Sequence, residues 1–120
     1  MGKNADRRNV GEVPAVEMRP GVYRSTLCYN EETMLCHFRM EKGATIPLHH
    51  HLAAQNGYVI SGRVRFFKAN GESFVAAGGT GYLFDSDEPH GSEALDDSEL
   101  VECFNPMRPE YGDEAQRHEQ

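Results

Sequence analysis

The chain has 120 residues and a formal charge of -7, with 38% hydrophobic and 26% charged positions. That is enough for one domain with a real core, and too little for two. The net negative field repels polyanions and argues against a nucleic-acid partner, although a small anionic ligand can still enter a locally positive pocket. No apolar stretch approaches the length of a membrane span, and "MGKNADRRNV" has no hydrophobic signal core.

In chain order, residues 1–12 are polar and without periodicity, and read as a flexible arm. Residues 13–109 form the domain, in which short strand-like runs alternate with turn signals every eight to twelve residues. The runs are "GVYRSTLCY", "TMLCHFRME", "NGYVIS", "RVRFF", "SFVAA", "GYLF", "HGSEAL" and "ELVECF". Asn70-Gly71, between "RVRFF" and "SFVAA", is the strongest hairpin signal, and Gly62 and Gly78-Gly79 punctuate as turns. From residue 110 to 120 the chain is again polar, with room for one helical turn. There is no internal repeat and no long amphipathic helix, so the pattern predicts a single closed antiparallel all-β domain. Cys28, Cys36 and Cys103 are odd in number and widely spaced. They fit reduced thiols buried in the core of a cytoplasmic protein.

Three adjacent histidines, His49, His50 and His51, dominate the middle of the chain. They can be an exposed polar accident, a metal site, or a mixture of the two. Alternation along a strand points His49 and His51 to one side and His50 to the other, whereas a helix separates the outer two. On the strand reading His49 and His51 are a pair of ligands on an interior wall and His50 is a bystander. Gln55 follows beyond a short turn, where its carbonyl oxygen can fold back to the same centre.

These residues carry a family resemblance. Gly43, His49, His51, Gln55 and Gly62 fall at the spacing of the first cupin motif, with Gln55 where that motif usually has Glu. The segment from Gly79 to His90 resembles the second motif. It departs in having Asp85 and Asp87 where the pattern has proline and glycine, and Ala94 in place of its asparagine. The resemblance covers roughly residues 35 to 108 and implies a single-domain cupin jelly-roll β-barrel. It also implies a divalent transition metal (Zn, Ni, Fe or Mn) held by His49, His51, Gln55 and His90. An amide at position 55 leaves more charge on such an ion than a carboxylate does, which favours anionic oxygen ligands.

The last strand-like run, "LVECFNPMRPEY", resembles the C-terminal segment of the KdgF-type cupins of pectin breakdown, with Glu102 where Asp is typical and Pro109 inserted before Glu110. The resemblance implies ring opening and ketonisation of 4,5-unsaturated uronates, with a small anionic or sugar-like ligand as partner. By position it makes Glu102 the proton carrier, Arg108 the carboxylate clamp and Phe104 a surface packed on the sugar. The residue types alone leave Arg108 as a surface-turn cation paired with Glu110 and Phe104 as ordinary core. Tyr58, Phe66 and Tyr82 are further aromatic candidates for the barrel lining. An iron-dependent cupin dioxygenase and a non-catalytic binding or sensing cupin stay open as alternatives. Family habit adds a homodimer, for which the segment before Gly21 can supply an exchanged strand.

Overall fold

The computed structural model describes residues 2–113. Ten strands form two antiparallel sheets: β1 Val16–Arg19, β2 Val22–Tyr29, β3 Met34–Met40, β4 Thr45–His49, β5 Ala54–Ser61, β6 Arg63–Lys68, β7 Ser73–Ala77, β8 Gly81–Phe84, β9 His90–Ala94 and β10 Ser98–Asn105. One sheet runs β1-β2-β3-β10-β5-β8 and the other β4-β9-β6-β7. The architecture is the jelly roll expected of an all-β cupin.

The period-2 pattern of the sequence decides which side chains meet. On β3 the inward set is Met34, Cys36, Phe38 and Met40; on β10 it is Ser98, Leu100, Glu102 and Phe104. They pack with Val59, Val64, Phe66, Ala76, Tyr82 and Phe84 from the other strands. Burial of Phe84 and Phe104, both essentially without solvent contact, contributes about 1.5–3 kcal/mol each. The Asn70-Gly71 hairpin joins β6 to β7, with Gly71 at φ 89°, a left-handed conformation that glycine adopts without a Cβ penalty.

Several expectations need revision. Only Cys36 is buried in the core, its thiol pushed up to about 12 chiefly by burial; Cys28 and Cys103 are half-buried. Tyr58 alternates outward on β5 and is 47% exposed, so it does not line the barrel, whereas Phe66 and Tyr82 are buried inside. The segment before Gly21 forms a strand, β1, that the sequence pattern did not single out, and it pairs antiparallel with β2.

The described parts of the two polar ends are held against the barrel. The backbone amide of Asn4 donates to the Tyr29 carbonyl at 3.0 Å, and its side-chain oxygen accepts from the Tyr29 amide at 2.7 Å. Arg8 donates both terminal nitrogens to Asp113, at 2.9 and 2.7 Å. Short 3-10 turns span Val10–Glu12 and Pro109–Tyr111, and Tyr111 is buried. Residues 114–120 of the expected tail lie outside the described residues.

Candidate metal centre

His49 is the last residue of β4, His51 stands in the connection that follows, Gln55 is the second residue of β5 and His90 opens β9. Strand alternation therefore reaches only as far as His49. His51 is placed by its loop, which the β8–β9 turn ties down: the Asp87 amide donates to the His51 carbonyl at 2.8 Å and Ser86 Oγ to the Leu52 carbonyl at 2.6 Å. His50 points away, 68% exposed, with its Nδ1 3.6 Å from Asp87. One nitrogen from each of His49, His51 and His90 lies within 4.8 Å of the others.

Hydrogen bonding determines which nitrogen each ring offers. The Nδ1 atoms of His49, His51 and His90 meet the carbonyls of Pro47, Ala53 and Glu88 at 3.0, 2.7 and 2.8 Å. A carbonyl can only accept, so Nδ1 carries the proton and the neutral ring presents its Nε2 lone pair. Burial lowers the basicity of His51 and brings His90 down to about 4, which keeps both rings neutral near pH 7. His90 is further fixed by stacking on Phe84, with ring centroids 4.3 Å apart and planes within 4°.

Gln55 completes the donor set. Its amide nitrogen donates to Glu102 Oε2 at 2.7 Å, which turns its oxygen toward the histidines. That oxygen lies 3.1 Å from His51 Nε2 and 3.2 Å from His90 Nε2. Two imidazole lone pairs and an amide oxygen are all acceptors, and they meet at close range without a hydrogen between them. Such a cluster is electrostatically unfavourable by itself and is relieved by a cation. The residues thus fit a divalent metal of the imidazole-binding kind, zinc, nickel, iron or manganese among them.

A cavity of about 270 Å³ opens beside this cluster, reached by His49, Gln55, His90, Glu102, Phe104 and Arg108. Its walls toward β1 are largely apolar, from Val22, Phe38, Met40, Ile46 and Leu100, with Arg19 among its lining. Glu102 is deeply buried, which raises its pKa above the usual carboxylate range; hydrogen bonds from Tyr82 and Gln55 and the charge of Arg108 offset part of that rise. Arg108 lies 4.2 Å over the Tyr111 ring and 5.4 Å from that of Phe104. It donates to the Tyr111 hydroxyl at 2.9 Å and makes a longer contact of 3.4 Å with Glu110. Its Nε is buried with no hydrogen-bond partner among the described residues. Phe104 is at once core and cavity wall.

Every residue proposed from the sequence for this site therefore falls on one cluster or its adjoining cavity. Tyr111 also lines the cavity and orients Arg108, a role hidden in the sequence by its place in a polar tail. Its one signal was position, as the aromatic shortly after Arg108.

Residues 36–104 match the protein family described as the Cupin domain. The chain belongs to the cupin family. This cupin is 28% identical over 102 residues to the pectin degradation protein KdgF of Dickeya dadantii, spanning 83% of this chain and 92% of that protein. It is also similar to the solved structure of KdgF from a Halomonas species, with a TM-score of 0.76 and 26% identity over 82% of this chain and 92% of the other. An RmlC-like cupin from Shewanella frigidimarina superposes with a TM-score of 0.86 over 93% of this chain and 100% of that one, at 22% identity. At that identity the likeness speaks for the fold alone.

Proposed function

We propose that this cupin is a metal-dependent isomerase of small carboxylate-bearing sugars, opening and ketonising 4,5-unsaturated uronates. The observation that carries the reading is the joining of the four-acceptor cluster to Glu102 through Gln55, beside a cavity that Arg108 also lines. The similarity to the pectin degradation protein KdgF supports a uronate-type sugar as the substrate class.

His49, His51, Gln55 and His90 hold the divalent ion, which when bound supplies Lewis acidity toward the substrate's oxygens. Arg108 clamps the carboxylate through its guanidinium fork, pre-oriented by Tyr111. Phe104 offers its face to the sugar ring. Glu102 takes the proton of the C1 hydroxyl as the bond from C1 to the ring oxygen breaks and C1 becomes an aldehyde. It returns that proton to C4, while the enol oxygen on C5 becomes a ketone. One proton moves and no atom is gained or lost, so the reaction is an isomerisation without a co-substrate.

Metal-loaded protein is expected to speed the loss of 4,5-unsaturated galacturonate absorbance above the rate in buffer, and chelation to abolish the gain. No acceleration by fully loaded protein would overturn the reading. The apolar walls from Val22 to Leu100 favour, as a second reading, an iron-dependent cupin dioxygenase acting on a more apolar acid. Oxygen consumption with iron-loaded protein separates the two.

A further inference from the structure

Glu102 belongs to a row that crosses three neighbouring strands. Tyr82 on β8 pairs with Gly57 on β5, and Gly57 pairs with Glu102 on β10. Tyr82 and Glu102 point into the barrel, and Gly57 lies buried between them. With strands about 4.8 Å apart, the outer members of the row stand about 10 Å apart at the backbone, and an ordinary side chain in the middle would separate them.

The middle position has no side chain. A Cβ on Gly57 would lie 2.1 Å from Tyr82 Cζ and 2.3 Å from its hydroxyl oxygen, well inside contact distance. The Tyr82 ring therefore lies across Gly57, and its hydroxyl donates a hydrogen bond to Glu102 Oε2. Phe66, 4.4 Å away between ring centroids, and Phe84, at 6.0 Å, pack against the tyrosine. Gln55 donates to the same Oε2 at 2.7 Å. Both donors thus hold one oxygen, and no hydrogen bond to Oε1 forms among the described residues. Glu102 nonetheless lines the cavity, whereas Tyr82 does not.

We propose that Tyr82 is a positioning residue: its hydroxyl, admitted by the missing side chain of Gly57, pins Oε2 of Glu102 and leaves Oε1 as the oxygen offered to substrate. The proposal rests on the reading of Glu102 as the proton carrier. It goes beyond that reading by naming the residue that orients the carboxyl and the glycine that makes room for it. An aromatic ring over a strand glycine also has a purely structural use, as cover for exposed backbone, but that use needs only the ring. The hydroxyl is the part that distinguishes the two roles.

Tyr82→Phe keeps the ring and removes the donor. In zinc-loaded protein, kcat on the unsaturated uronate is expected to fall about 10- to 100-fold, with KM within about twofold. Zinc content and melting temperature should stay near wild type. Gly57→Ala, which displaces the ring, should lose kcat as well, and the double variant should be little worse than either single one. An independent arm reads the bond itself. Wild-type protein should show a solvent-protected hydroxyl proton resonance that disappears in Tyr82→Phe and shifts in Glu102→Gln.

Wild-type kcat in Tyr82→Phe, a rise in KM at constant kcat, or survival of the resonance in Tyr82→Phe would each overturn the proposal. If wild-type protein turns over no unsaturated uronate, the uronate reading fails. The resonance then decides alone whether Tyr82 orients Glu102.

Discussion

An amide at position 55 follows from what stands on either side of it. Toward the histidines an acceptor is needed, and toward Glu102 a donor; the Gln55 amide offers one of each on separate atoms, with the reach to span the two. A carboxylate there would meet Glu102 acceptor to acceptor in a buried site, and the two could stay at hydrogen-bond distance only by holding a proton between them. The departure from the usual cupin glutamate is therefore explained by Glu102, a residue 47 positions away in the chain. The same atom-level reasoning separates the histidines. His50 and His90 are near in type and opposite in placement, one exposed beside Asp87, the other buried and stacked on Phe84. His90→Ala should lose metal on dialysis against a mild chelator, while His50→Ala should retain a wild-type metal content by elemental analysis. Equal loss in the two variants would remove His90 from the donor set.

At the scale of elements, the turn between β8 and β9 connects local backbone preference to the metal centre. Asp87 adopts φ 60°, the left-handed region, at the position where the cupin pattern has glycine. Aspartate tolerates this conformation better than most residues, and a β-branched side chain tolerates it least. Asp87→Val should cost about 1–2 kcal/mol in urea unfolding and, by loosening the amide held by the His51 carbonyl, should speed metal release. Asp87→Gly should stay within about 0.5 kcal/mol of wild type, because the gain in native conformation offsets the added freedom of the unfolded chain. A glycine variant as damaged as the valine one would show that side-chain contacts, not φ, matter here. The sequence made the strands with clear alternation legible, and with them the inward pairing of Glu102 and Phe104. It was weakest where a side chain's direction is set by a partner element. His51 faces the cluster because a turn more than thirty residues later holds its loop, and β1 is too short and too polar for period-2 reading to find.

Across the whole molecule, the polar N-terminal arm and the start of the polar C-terminal segment, up to Asp113, meet at one corner. Tyr29 is the common anchor: Asn4 pairs with its backbone, and its hydroxyl accepts from the Asp113 amide at 2.9 Å. Arg8 closes the clasp on the Asp113 carboxylate. Nothing in a 12-residue polar arm announces such a role, because the pairing depends on partners more than 100 residues away. The clasp bears on the site, since Tyr111, two residues before Asp113, carries Arg108 on its ring and lines the cavity. Arg8→Ala should therefore lower stability near neutral pH by about 1–2 kcal/mol, the range for a partly buried, doubly hydrogen-bonded ion pair. The Arg8 guanidinium holds the Asp113 carboxyl below its ordinary value of 3.8. The pair's contribution is accordingly complete above that ordinary value and is lost as pH falls through the lowered one. The gap between wild type and Arg8→Ala in denaturant unfolding should thus be constant from neutral pH down to the ordinary carboxylate range and shrink only below it. Hydrogen exchange should show faster opening in the variant at both ends of the chain, residues 4–13 and 106–113 together. Exchange confined to the N-terminal segment would mean that the wall bearing Tyr111 and Arg108 stands without the clasp.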